Sequence, residues 1–210
     1  MSKPIIILGG GGHAKVLFDS MKQLSQTIVA ISVPDGVCSE IKGVEIISDD
    51  NLLLDFPPSD VKLVNGVGGV TVPYARKKIF DFFKSKGYTF ETVVHPSAII
   101  ASDAIISEGV QIMAGAVIQT GVSLGMNTII NTRAIVDHNS CIGAHVHVAP
   151  GVTICGSVLL EDLVHVGAGA TILQGMRIGA GSLVGASALV NRPVGNGVQV
   201  LGIPAKERPK

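Results

Sequence analysis

The sequence predicts an α/β N-terminal Rossmann-like domain followed by a left-handed parallel β-helix of hexapeptide repeats. Three observations carry that prediction. Between positions 94 and 190 every sixth residue is aliphatic, seventeen positions without a slip. Before about residue 90 that period is absent, and short apolar runs alternate with helical patterns. The composition suits a narrow core, because 210 residues that are 47% hydrophobic include 26 glycines, 4% aromatic residues and no tryptophan.

Taken in order, Ile5-Ile-Ile-Leu8 reads as a buried strand, and the glycines after it lead into a helix over about 14–24. Residues 27–33 read as a second strand, closed by Pro34-Asp35-Gly36. Residues 61–64 read as a third, followed by the loop Asn65-Gly-Val-Gly-Gly69. Pro73 suits the first turn of a helix running to about Lys86, with Thr71 as its cap. Strand, helix, strand, loop, strand and helix make a small parallel unit. Its expected extent is residues 1–90, with the β-helix and a short tail over 91–210.

In the second part, the residue four places after each aliphatic is often small, as at Ala98, Ala104, Ala116, Thr128, Ala134 and Ser140. Three hexads close one triangular coil, so residues eighteen apart stack at about one strand spacing, roughly 4.8 Å. Such a prism has no room for large rings and places glycine and asparagine at its corners. Its flat sides favour an oligomer, and residues 165–181 carry a single charge, Arg177, as a subunit interface would.

Lysine plus arginine number 16 and aspartate plus glutamate 16, so the chain lacks the basic footprint of a nucleic-acid binder. The first apolar run is too short for a signal peptide, and no stretch is long enough to span a bilayer. Cys38, Cys141 and Cys155 are odd in number and lack metal-ligand spacing. They fit buried free thiols in a reducing, cytoplasmic setting, with no metal.

Two regions could carry chemistry. In Leu8-Gly-Gly-Gly-Gly-His13, backbone at Gly10, Gly11 and Gly12 can approach a pyrophosphate at a helix N-terminus, and His13 can touch phosphate or sugar. The bland alternative is a tight turn without a ligand. The dinucleotide fingerprint is incomplete, which favours a nucleotide-linked sugar over NAD. Ser32 or Asp35 could meet the base or ribose, with Gly68 in the loop opposite. The second region runs from Asn131 to Asn139 and is followed by His145, His147 and His165. His138 falls outside the aliphatic stack, where imidazole has no packing reason to be and could accept a proton, a solvated surface histidine being the alternative. His147 and His165 stack one coil apart. A solvated polar ladder is the alternative for that pair, and the favoured reading for His145. His138 and His147 differ by half a coil, so they could meet only between subunits, which points to sites shared within a trimer.

Three motifs, Ile5-Ile-Ile-Leu-Gly-Gly-Gly-Gly-His-Ala-Lys15, Ile129-Ile-Asn-Thr-Arg-Ala-Ile-Val-Asp-His138 and Leu201-Gly-Ile-Pro-Ala-Lys206, span nearly the whole chain. With them the chain resembles the bacterial nucleotide-sugar acetyltransferases of the left-handed β-helix type. That group includes GDP-perosamine N-acetyltransferases, UDP-bacillosamine-type N-acetyltransferases and sialic-acid O-acetyltransferases. The resemblance implies acetyl-CoA-dependent acetylation of a nucleotide-linked 4-amino-4,6-dideoxy sugar, perosamine-like, for surface polysaccharide such as lipopolysaccharide O-antigen. It implies His138 as general base, with Asn131 and Asn139 beside it, and His147 at the thioester. It implies Gly167, Ala168, Gly185 and Ala186 along a CoA groove, and Gly11, Gly12, His13 and Gly68 on the nucleotide-sugar. Two positions depart from the family's pattern. Asn139 stands where an acid usually follows the base, leaving Asp137 as a substitute, and Val33 stands where an acid usually ends the second strand. The alternatives are O-acetylation of the sialic-acid type and a non-catalytic β-helix scaffold.

Overall fold

The computed structural model describes residues 3–34, 39 and 41–208. The N-terminal unit is a parallel sheet of β1 (Ile5–Leu8), β2 (Ile28–Val33), β3 (Glu45–Ser48) and β4 (Lys62–Asn65), in the order β3-β2-β1-β4. Three helices join it, α1 (Gly12–Gln23), α2 (Asp49–Asp55) and α3 (Tyr74–Ser85). Alternation along β1 decides the two faces. Ile5 and Ile7 pack with Leu17 and Met21 of α1, and with Val93 and Met113 from the first β-helix coils. Ile6 and Leu8 pack with Leu52 of α2, Phe80 and Phe83 of α3, and Phe90. All eight aromatic residues precede residue 91, so large rings fill the layered core and none enters the prism.

The expected elements are present with shifted edges, and two more join them. β3 and α2 follow the second strand, where the sequence suggested only a loop. α1 starts on Gly12, and α3 is preceded by Pro73 with no side-chain cap, so Thr71 does not cap it.

From Val93 to Val190, seventeen two-residue strands among the described residues build the left-handed parallel β-helix. Each central strand pairs in parallel with the strand eighteen residues on, as in Ile129 beside His147, His147 beside His165, and His165 beside Leu183. Ile112, Ile130, Val148, Val166 and Val184 line the inside of that wall, fully buried. Each contributes about 1.5–3 kcal/mol relative to exposure. The corners take left-handed backbone at six-residue intervals, at Gly121, Asn127, Arg133, Asn139 and His145 among others. This accounts for corner residues such as Gly121, Asn127 and Asn139, since glycine and asparagine reach positive φ at least cost.

The three walls differ. The one containing Gln111, Ile129, His147 and His165 is buried beneath the N-terminal unit. The next presents Ile99, Val117, Ile135, Thr153, Thr171 and Leu189, with no charge among them. The third carries Ile105, Ser123, Cys141, Leu159 and Arg177. Cys141 and Cys155 are free thiols, and Cys141 is exposed rather than buried as expected. Cys38 lies outside the described residues, and among those residues no helix is long and apolar enough to cross a membrane.

Candidate active site

In the order β3-β2-β1-β4 the connections from β1 and β4 diverge, which opens a crevice beyond their carboxyl ends, where open parallel sheets bind ligands. A cavity of about 470 Å³ lies there, lined by residues 9–13, Val33, Pro34 and residues 66–69. The glycines serve different needs. A methyl on Gly10 would lie 2.8 Å from Cβ of Ser39, so packing alone demands that glycine. At Gly11 and Gly12 a methyl would meet nothing within 4 Å. These two open the cavity at the start of α1, whose first turn has no side-chain cap and no acidic residue. Its amides are therefore available to an anion.

A second cavity of about 590 Å³ shares Gly12, His13, Gly68 and Gly69 with the first and continues onto the β-helix. There it meets Asn131, Thr132, His147, Ala149, His165, Gly167, Ala168, Gly185 and Ala186. Asn131, Ala149, Gly167 and Gly185 are eighteen apart and follow one prism edge, so the small residues after Asn131 cut a groove along it. A methyl on Gly167 would lie 2.5 Å from the amide nitrogen of Ala186, which keeps that step free of a side chain. Nine of the expected site residues thus share one cavity: Gly12, His13, Gly68, Asn131, His147, Gly167, Ala168, Gly185 and Ala186.

Two buried groups absent from the sequence reading hold the parts together. Arg76 of α3 donates from Nε to the carbonyl of Asn127 (3.0 Å), and from Nη1 to the carbonyls of Asn65 (2.6 Å) and Val67 (3.0 Å). Burial lowers its pKa to about 9. Gln111 donates to the carbonyl of Asn65 (2.8 Å), and its Oε1 accepts from His13 Nε2 at 2.7 Å. Gln111 stands in the same outward column as His147 and His165. Polar residues recurring in that column suit solvent as well as a covering unit, so the sequence carried no signal of the covered wall.

These contacts fix the histidines. With its proton on Nε2, His13 is held neutral. Burial, then the Arg76 charge, lower its pKa to about 4, against a smaller opposing effect of the Gln111 hydrogen bond. Asn131 accepts the amide of Thr132 through Oδ1 (2.8 Å) and faces His147 Nε2 with Nδ2 at 3.3 Å. His147 then carries its proton on Nδ1, and the backbone of Gly69 acts to raise its pKa slightly against the larger effect of burial. Burial lowers its pKa to about 3, with further lowering from His165, His13 and Arg76. His147 and His165 meet edge to face with centroids 5.0 Å apart. They are 6% and 5% exposed, so this pair is no solvated ladder. Neither does His145 face solvent. It lies under α3, with Asn127 Nδ2 2.9 Å from its Nδ1 and the ring of Phe80 at 5.5 Å.

His138 and Asn139 stand elsewhere, at the corner between the uncharged wall and the third wall, outside the cavity of His147. The partly buried His138 ring lies against Gly156, one coil on, where a methyl would come within 2.5 Å of its Nε2. Asn139 Nδ2 lies 3.3 Å from His138 Nδ1. Asp137 turns its Oδ1 to the backbone amide of His138 (2.7 Å), so that oxygen does not partner the imidazole. Ser32 is fully buried and donates to Asp49 at the start of α2, which leaves it no surface for a nucleotide. Asp35 lies outside the described residues. Among those residues, no three His, Cys, Asp or Glu side chains are grouped to hold a metal ion.

Residues 4–83 match the PglD N-terminal domain family. A point mutant of perosamine N-acetyltransferase from Caulobacter crescentus, solved with CoA and GDP-perosamine, is 31% identical over 100% of this chain and 99% of its own, with a TM-score of 0.93. The chain belongs to the nucleotide-sugar acetyltransferases. Within that family the acetyltransferase domain of PglB from Neisseria gonorrhoeae, solved with acetyl coenzyme A, is 29% identical. That alignment covers 99% of this chain and 100% of the domain, with a TM-score of 0.91. A 2,3,4,5-tetrahydropyridine-2,6-dicarboxylate N-acetyltransferase from Staphylococcus aureus is 42% identical over 72 residues. That match spans only 30% of this chain and 30% of the relative.

Proposed function

We propose that the protein is an acetyl-CoA-dependent N-acetyltransferase acting on the amino group of a nucleotide-linked 4-amino-4,6-dideoxy sugar, perosamine-like, in surface-polysaccharide synthesis. The observation that carries this reading is a pair of adjoining cavities that share Gly12, His13, Gly68 and Gly69, one lined by the glycine turn of the parallel sheet and the other by a groove of small residues on the β-helix. The full-length likeness to an enzyme solved with CoA and GDP-perosamine supports it. In this reading the pyrophosphate sits on the amides at Gly11 and Gly12, with the sugar beside His13 and Gly68. The cosubstrate lies along Gly167, Ala168, Gly185 and Ala186, with His147 walling its thioester end.

The protein acts as a homotrimer. The uncharged wall lies between the groove edge and the edge bearing His138, so a second copy packed there brings His138 of one subunit towards the groove of the next. His138 Nε2 takes a proton from the amine as its nitrogen bonds to the thioester carbonyl carbon. The carbon–sulfur bond breaks, and the CoA sulfur leaves and takes up a proton. An imidazole that accepts at Nε2 must hold its proton on Nδ1, so Asn139 must turn Oδ1 to that nitrogen, a half-turn of its amide. An acid would enforce this state; an asparagine only permits it.

The test is a thermal-shift screen with CoA and with GDP-, UDP- and dTDP-linked 4-amino sugars, followed by product analysis. Stabilisation by CoA and by one nucleotide series, with an amide product stable to hydroxylamine, is expected. No response to CoA would leave a β-helix scaffold, and a hydroxylamine-labile ester would leave O-acetylation.

A further inference from the structure

His165 has no part in the reading above, yet it lines the same cavity at 5% exposure. Its Nδ1 is buried and has no hydrogen-bond partner. Nε2 also makes no hydrogen bond, but it is not sealed off, and the ring lines the cavity. A buried N–H without an acceptor is the costlier orphan, so the proton belongs on Nε2, where a ligand can receive it. Burial holds the ring neutral. The neighbouring His147 does not serve in this way, because its Nε2 faces the amide donor of Asn131 and so carries no proton to give.

Position along the wall says which ligand the donor meets. In the column Gln111, Ile129, His147, His165, Leu183, the first member holds His13 of the N-terminal unit. His165 lies three coils beyond it, beside Gly167, Gly185 and Leu183. That is the end away from the nucleotide. Resting on the proposed acetyl-CoA reading, we infer that His165 is a cosubstrate-binding residue, donating from Nε2 to a carbonyl oxygen of the acyl-CoA in the groove. That oxygen belongs to the thioester or to a pantetheine amide, and free CoA has only the second.

The experiment compares full-length wild type with His165→Leu, His165→Met and His165→Gln, by calorimetric titration with CoA and by kinetics with acetyl-CoA. The column already holds leucine at position 183, and Met is a second replacement without a donor should Leu fail to fold. A pantetheine contact predicts CoA binding weakened about tenfold in the Leu and Met variants. A thioester contact predicts unchanged CoA binding with kcat about tenfold lower. In either case His165→Gln retains most of the wild-type behaviour and the KM for the nucleotide-sugar is unchanged. CoA binding and kcat both unchanged, or an effect confined to the nucleotide-sugar KM, would overturn the inference. A wild type that fails to bind CoA would instead overturn the reading on which it rests.

Discussion

His147 and His138 are nine residues apart in sequence and stand on different sides of the prism, in surroundings of opposite kinds. The first is 6% exposed, stacked on a second imidazole and engaged by Asn131 and the backbone of Gly69. The second is partly buried, lies along a glycine and has an exposed asparagine as its ring partner. Burial with two fixed partners makes an imidazole a wall, neutral across the working range. The ring at the other edge has a single side-chain partner and lies outside the cavity, so in the proposed reading the same residue type supplies shape at one edge and chemistry at the other.

The largest expected effect separates the two rings. His138→Ala should lower kcat by about 10²–10⁴ with no change in melting temperature, read from kinetics and thermal melts of one preparation. A variant with unchanged kcat would remove His138 from the chemistry. The next tests the buried pair through pH. His13 and His147 have folded pKa values of about 4 and about 3, below the unfolded value near 6.5. The unfolded chain therefore binds more protons below pH 6.5. The stability these rings contribute is fully present above about pH 7 and lost as pH falls towards 4, at up to about 1.4 kcal/mol per pH unit for each ring. Between pH 7.5 and 5 the wild type should lose more melting temperature than His147→Leu; equal losses would contradict a neutral buried ring.

A smaller effect probes the glycine turn. Gly12→Ala places its methyl in open space, so melting should be unchanged while the nucleotide-sugar KM rises about tenfold. Gly10→Ala, which meets Ser39, should lower the melting temperature instead. The smallest effect is at the open edge. Asn139→Asp should raise kcat by a factor of a few, because a carboxylate fixes the proton on Nδ1 without an amide turn; a fall in kcat would show that the asparagine already serves the base better.

The β-helix was legible because its period is the structure. A residue's place in the eighteen-residue coil fixes its wall and its stacked neighbours, so the His147–His165 stack and the separation of His138 followed from subtraction. The N-terminal unit offered no such rule. β3 and α2 were missed because Glu45-Ile-Ile-Ser48 is short and runs directly into Asp49. The covered wall was missed for a different reason. Gln111, His145 and Arg76 are polar residues that suit an exposed surface until a second unit is laid over them, and nothing in a local pattern shows what covers a face. Ser32 had the right position at a strand end, but its hydroxyl is committed to Asp49, a residue of the helix the sequence did not reveal.

The central claim is that neither edge is sufficient and that catalysis needs both from different subunits. Mixing His138→Ala with His147→Ala chains tests it most directly, with subunit exchange verified by differential mass tags and activity measured against each variant alone. Shared sites predict that mixed trimers regain a measurable part of wild-type activity, since some sites then combine an intact His138 with an intact groove. Fully exchanged trimers that remain as inactive as either parent would contradict the account.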